Sequence, residues 1–108
     1  MDLGIHNRLA LVCASSQGIG LACATALARE GARVVINGRN PERLAQAQAH
    51  ILAKTGREVR AIVADIATEA GRQALFEGCE NLDILINNNA GPQPGKLADW
   101  DHDAWIRA

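Results

Sequence analysis

Along the chain, short runs of aliphatic and β-branched residues alternate with longer alanine-rich stretches whose apolar positions recur at helical spacing. Leu9-Ala10-Leu11-Val12-Cys13 is almost continuously apolar, the pattern of a strand covered on both faces. Arg33 to Asn37, Val59 to Ala64 and Asp83 to Asn87 repeat it. No hairpin turn joins one run to the next. The connections are long enough to be helical crossovers, which parallel strands require.

The helices follow from spacing and end signals. From Gly18 to Glu30, the spacing places Ile19, Ala22, Cys23, Ala26 and Leu27 on one face, small enough for close packing on a sheet, with Gly31 as the left-handed residue that ends the helix. A second helix starts with Asn40 as N-cap and Pro41 in the first helical position, buries Leu44, Ala47, Ile51 and Leu52, and stops at Gly56. A third, from about Thr68 to Glu80, turns Leu75 and Cys79 inward, although Gly71 and Gly78 weaken it. Gly91-Pro92-Gln93-Pro94-Gly95 reads as a loop. Asp101 then caps a helix start, with Trp100 and Trp105 spaced as a hydrophobic staple. The order β-α-β-α-β-α-β and the beginning of a further α predict a doubly wound parallel α/β sheet with strand order 3-2-1-4.

Composition narrows the possibilities. With 48% hydrophobic and 21% charged residues and a net charge of −1, the chain of 108 residues has the balance of one folded domain rather than a disordered tail. A near-neutral charge without a basic patch argues against nucleic acid as a partner. No apolar run reaches the roughly 18 to 20 residues that span a bilayer, and the N-terminus lacks the pattern of an export signal. Cys13, Cys23 and Cys79 are odd in number and at no metal or redox spacing, and His6, His50 and His102 are scattered. The expectation is free thiols in a reducing cytoplasm and no metal site.

Chemistry concentrates at the ends of the predicted strands. The first β-to-α turn reads Cys13-Ala14-Ser15-Ser16-Gln17-Gly18-Ile19-Gly20. In an open α/β sheet this turn holds a dinucleotide pyrophosphate on backbone N–H groups and the positive end of the following helix. Gly18 lets the backbone approach phosphate, and Gly20 lets helix and strand pack closely. A tight turn alone also uses glycines. After the second strand the chain reads Asn37-Gly38-Arg39-Asn40, with no carboxylate to bond ribose hydroxyls and repel a 2′-phosphate. Arg39 can fork onto a phosphate, which favours NADP(H) over NAD(H). An arginine in a solvated loop is the plainer alternative. The third strand runs into Asp65-Ile66, and an aspartate in that place is also a common turn or cap residue.

The chain resembles the short-chain dehydrogenase/reductase family from Arg8 onward. The family's T-G-x-x-x-G-I/V-G turn is matched at Gly18, Ile19 and Gly20, with Cys13 in place of threonine and Ala14 in place of the first glycine. Its N-N-A-G signature is matched at Asn88, Asn89, Ala90 and Gly91, preceded by Asp83-Ile84-Leu85-Ile86. The resemblance implies a Rossmann-type fold, an NAD(P) cofactor, and an activity transferring hydride between that cofactor and a small carbonyl or alcohol substrate. It implies cofactor roles for Ala14, Ser15, Ser16, Gly18, Ile19, Gly20, Arg39, Asp65, Ile66, Asn89, Ala90 and Gly91. The hydroxyls of Ser15 and Ser16 are placed to reach phosphate or ribose oxygens, and Asp65-Ile66 to bond and flank the adenine. Within the family, Ala14 and the 91–95 loop look like 3-oxoacyl-ACP reductase-like members.

The family's chemistry uses a tyrosine, a lysine four residues later, a serine and an asparagine. This chain has no tyrosine. Residues 1–108 therefore read as the N-terminal, cofactor-binding part of one larger domain, with no catalytic residue among them and activity expected of a full-length, cytoplasmic, homo-oligomeric enzyme. The alternatives are a stand-alone, non-catalytic nucleotide-binding module or pseudogene product, and an α/β interaction domain without nucleotide. As an isolated chain it is expected to leave Ile84, Leu85 and Ile86 on an exposed edge and to be poorly soluble or loosely packed.

Overall fold

The apolar runs become four strands and the alanine-rich stretches become helices. The computed structural model describes residues 3–88. In chain order they form β1 (Leu9–Val12), α1 (Gly18–Arg29), β2 (Arg33–Gly38), α2 (Pro41–Thr55), β3 (Arg60–Val63), α3 (Glu69–Gly78) and β4 (Ile84–Ile86). The predicted 91–95 loop, the helix start at Asp101 and the Trp100–Trp105 staple lie outside the described residues.

All strand pairs are parallel, in the predicted order β3-β2-β1-β4. β1 is central. Leu9 to Val12 face Arg33 to Ile36 of β2, and Ala10 to Val12 face Ile84 to Ile86 of β4. The strands are shorter than their apolar runs, but pairing continues past them through single bonds. The Cys13 N–H donates to Ile86 O (3.1 Å), Ala64 N–H to Gly38 O (3.0 Å) and Asp83 N–H to Leu9 O (2.9 Å). β3 and β4 are the edges, so burial on both faces is a property of β1 and β2. Val63 and Leu85 stay 50% and 55% exposed, whereas Ile84 and Ile86, expected exposed with Leu85, are half-buried, Ile86 against the core.

Alternation along the strands divides the core into two layers. Val12, Val34 and Ile36 pack with α1 and α2, against Ala24, Ala28 and Ile51. Leu9, Leu11, Cys13 and Val35 pack with Leu75 and Cys79, at α3. Among the described residues, no helix is long and apolar enough to cross a membrane.

The phase of α1 differs from the expectation. Gly20, Ala24 and Ala28 are its buried positions, while Ala22 and Ala26 are exposed and Ile19 is 76% exposed. A helix with apolar residues all round has no unique wet face, so the smallest residues at i, i+4 and i+8 turn inward, where the sheet approaches closest. In α2, Leu44, Ala47 and Ile51 are buried as expected, but Leu52 lies 44% exposed at the margin of that stripe.

The helix ends agree with their sequence signals. Past α1, Ala32 N–H bonds Leu27 O (3.1 Å) and Gly31 N–H bonds Ala28 O (3.0 Å), the paired bonds of a Schellman motif with Gly31 at φ 91°. Asn40 caps α2, its Oδ1 accepting from the N–H groups of Glu42 (2.9 Å) and Arg43 (3.1 Å). Gly71, which weakened the α3 prediction, has a packing reason. A Cβ there would strike the backbone of Asp65, with Asp65 C only 2.6 Å away.

Candidate cofactor site

Parallel strands deliver their carboxyl ends to one edge of the sheet. The chain leaves β1 for β2 and β3 on one side, then returns to place β4 on the other. Strand order therefore reverses beside the end of β1, the position where open α/β sheets bind ligands. Of the residues singled out in sequence, Ala14, Ser15, Ser16, Gly18, Ile19, Gly20, Arg39, Asp65 and Ile66 follow β1, β2 and β3 at this edge. Asn89, Ala90 and Gly91 lie outside the described residues.

The turn after β1 is tightly held. Ala14 has φ +49°, the left-handed region where an L side chain is strained. Glycine would take up this conformation without strain. The Ala14 N–H donates to Asn37 Oδ1 (3.2 Å), and its carbonyl accepts from Asn88 Nδ2 (3.3 Å). Ser15 is fully buried. Its N–H donates to Asn37 O (2.7 Å), and its hydroxyl donates to Val12 O (2.7 Å) while accepting from Asn37 N–H (2.9 Å). The expectation that the Ser15 hydroxyl reaches a phosphate or ribose oxygen is thus corrected: it points inward and shapes the turn. Ser16 is half-buried, and its side chain lies against Gly38 at the end of β2.

α1 begins with its N–H groups available. The Gln17 side chain makes no capping bond, and the first turn holds no acidic residue. The N–H groups of Gly18, Ile19 and Gly20 precede the first intrahelical donor, Leu21 N–H, which bonds Gln17 O (3.3 Å), and they sit at the positive helix end. Gly18, at φ +62°, has nothing within 4 Å of where a Cβ would stand. At Gly20 a Cβ would collide with Ala14 O and stand 2.9 Å from Ser15 Cα, so only glycine permits this approach of helix to turn. An open, uncapped helix end with a bare backbone in front of it suits an anion such as a pyrophosphate.

Arg39 is exposed, one residue past the Gly38 that lies near Ser16, and no ion pair engages it among the described residues. Asp65 has a turn role. Its Oδ1 accepts from Ala67 N–H (2.9 Å), and its carbonyl accepts from the Thr68 N–H (3.1 Å) and hydroxyl (2.9 Å). Ile66 packs partly against the core layer at α3. Cys13 and Cys79 share that layer as free thiols. Burial pushes the Cys13 thiol pKa up; a hydrogen bond from the Asn88 backbone opposes this and nearby Cys79 adds to it. Burial also raises that of Cys79, against the pull of Arg60. Among the described residues no cluster of His, Cys, Asp or Glu is arranged to hold a metal.

Sequence reasoning missed the part played by Asn37, treating its segment only as lacking a carboxylate. The signal was present: a single amide closing an otherwise apolar strand must find partners inside the protein.

Comparison with known proteins agrees with this architecture. The family model described as short chain dehydrogenase matches residues 8–108. The chain is 38% identical over 108 residues to the uncharacterized oxidoreductase YvaG of Bacillus subtilis (strain 168), covering 99% of this chain and 41% of that protein. Its fold matches L-sorbose reductase of Gluconobacter frateurii, solved with NADPH and L-sorbose, with a TM-score of 0.83 and 33% identity, covering 99% of this chain and 42% of the other. The Pseudomonas aeruginosa RhlG/NADP active-site complex matches with a TM-score of 0.77 and 36% identity, covering 95% and 41%. The chain thus spans about two fifths of the length of these relatives. With the family model matched over almost its whole length and a partial Rossmann fold behind it, the chain belongs to the short-chain dehydrogenase/reductase family.

Proposed function

We propose that residues 1–108 form the cofactor-binding part of a single NAD(P)-binding domain in an NADP(H)-dependent oxidoreductase. The observation that carries this reading is the placement, at the carboxyl edge of β1 and β2, of an uncapped α1 N-terminus, bare backbone at Gly18, and an Arg39 without an ion pair in a segment, residues 37–40, that holds no carboxylate. The pyrophosphate rests on the N–H groups of Gly18, Ile19 and Gly20, beside Ala14 and Ser16. Arg39 forks onto the adenosine 2′-phosphate. Asp65 and Ile66 border the adenine, and Asn89, Ala90 and Gly91 the nicotinamide ribose. NADPH-bound L-sorbose reductase and NADP-bound RhlG among the matched structures support the choice of NADP(H).

When bound, the cofactor supplies a hydride for a small carbonyl substrate, or accepts one from the alcohol. The part played by this chain is to bind and orient it. The chain has no tyrosine, so the family's proton-transfer pair is not within these residues. The chemical step is proposed to belong to a longer, cytoplasmic, homo-oligomeric product that resembles the 3-oxoacyl-ACP reductase-like members of the family. The second reading is a nucleotide-binding module without catalysis; the reading frame after residue 108 separates the two. The binding proposal is tested by titrating the full-length protein with NADPH and NADH, and then its Arg39→Asp variant. NADPH is expected to bind tighter than NADH, and Arg39→Asp to abolish the difference. Equal affinities in the unaltered protein overturn the assignment.

A further inference from the structure

Among the described residues the only buried polar residues are Ser15 and Asn37, and they are joined through the Asn37 backbone, whose N–H donates to the Ser15 hydroxyl (2.9 Å) and whose carbonyl accepts from the Ser15 N–H (2.7 Å). The Asn37 amide has one consistent orientation. Its oxygen faces the Ala14 N–H (3.2 Å), and its nitrogen faces two carbonyls, Ile62 O (3.2 Å) and Ala64 O (3.0 Å). Flipped, it would set donor against donor and acceptor against two acceptors. One side chain at the end of β2 thereby ties the β1–α1 turn to the exit of β3, immediately before Asp65.

The turn requires such a tie. Ala14 occupies a backbone region that an alanine avoids when free. Its N–H is held by Asn37, and Gly20 approaches so closely that a Cβ there would collide with the Ala14 carbonyl oxygen. We propose that Asn37 is a positioning residue of the nucleotide site: its buried amide holds Ala14 left-handed, and so sets where the N–H groups of Gly18, Ile19 and Gly20 stand. The proposal rests on the nucleotide reading above. Asn37 does not touch the cofactor; it acts through the turn.

The test compares the unaltered full-length protein, Asn37→Ala, Ala14→Gly and the double variant by NADPH titration and by amide hydrogen exchange. Without its support, Ala14 holds the competent conformation about one part in ten, so Asn37→Ala is expected to weaken NADPH binding about tenfold. Glycine adopts the left-handed region about as readily as the right-handed, so adding Ala14→Gly restores affinity to within about twofold. Exchange is expected to rise selectively at Ser15, whose N–H bond to the Asn37 carbonyl is not deleted, relative to Val35 and Ile36 in the same layers. Unchanged affinity in Asn37→Ala, no rescue by Ala14→Gly, or a uniform rise in exchange overturns the proposal. Should Asn37→Ala fail to fold, the less strained double variant is compared with Ala14→Gly alone. Near-equal affinity then supports the proposal, and a further tenfold loss overturns it. A full-length protein that binds neither dinucleotide before any substitution overturns the functional reading instead, whereas failure of the Asn37 role appears as binding that the substitution does not weaken.

Discussion

Replacing Gly20 with alanine sets two physical effects of opposite sign against each other. Gly20 is the third residue of α1, and helix propensity alone predicts that Gly20→Ala stabilises the chain by about 0.8 to 1 kcal/mol. The packing predicts the reverse. The added methyl would collide with Ala14 O and stand 2.9 Å from Ser15 Cα and 3.1 Å from Ala14 C, all of them backbone atoms that no rotamer change can remove. Restoring an ordinary carbon contact of about 3.5 to 4.0 Å requires the first turn of α1 to retreat by roughly 0.6 to 1.1 Å from Ser15. Ala24 and Ala28, on the same helix face, would lift partly from β1 and β2. Overpacking of this kind costs about 1 to 3 kcal/mol, and a backbone obstacle belongs at the upper end. After the propensity gain, the expected net loss is about 1 to 2 kcal/mol, a fall of at least roughly 4 to 8 °C in melting temperature for a chain of this size. Urea unfolding followed by circular dichroism measures it, read from the midpoint at constant slope. Ala26→Gly, on the exposed face, is the reference and loses about 1 kcal/mol through propensity alone. A Gly20→Ala chain as stable as the original, or more so, refutes the close-approach argument.

Other substitutions probe neighbouring parts of the design. Ala14→Gly removes left-handed strain of about 1 to 2 kcal/mol and adds about 0.4 to 1 kcal/mol of unfolded-state entropy, so a net gain near 0.5 to 1 kcal/mol is expected in the same urea assay. Asn40→Ala deletes both bonds to the first turn of α2 and lowers stability by about 1 kcal/mol, whereas Asn40→Asp retains most of it. Cys13 and Cys79 have raised thiol pKa values, so the unfolded chain releases these protons at lower pH than the folded one. Stability is then full below about pH 8.5 and falls as pH rises beyond it, a slope that urea midpoints measure and that Cys13→Ala with Cys79→Ala flattens.

The parts of the fold readable in sequence are those set by period and by chain ends. Four apolar runs separated by crossover-length segments permit few sheets, and the order β3-β2-β1-β4 is among them. Asn40-Pro41 and Gly31 are local signals, so the caps could be placed before any tertiary contact was known. The phase of α1 could not, because in an alanine-rich helix the choice between Ala22 and Ala24 depends on the sheet's distance, which is a tertiary quantity. The same holds for Ser15, where a hydroxyl in a turn looks available to ligand until the neighbouring strand is in place. It holds for Asn37 too, where Asn-Gly is a common hairpin signal, but here it closes a buried parallel strand. Gly71 weakened the prediction of α3 because propensity knows nothing of the Asp65 backbone beside it.

The central place of β1 carries a consequence for how the chain is made. The bond from Leu9 N–H to Asp83 Oδ2 closes a loop of 74 residues, so the first strand synthesised is the last to be fully paired. β1, β2 and β3 can assemble with α1 and α2 once Val63 is available, but β4 begins only at Ile84. At about 5 to 20 residues per second, those 21 further residues take roughly 1 to 4 s to synthesise. During that interval the β4 side of Leu9 to Val12 is an unpaired parallel edge of a half-built sheet, open to the same segment of a neighbouring nascent chain.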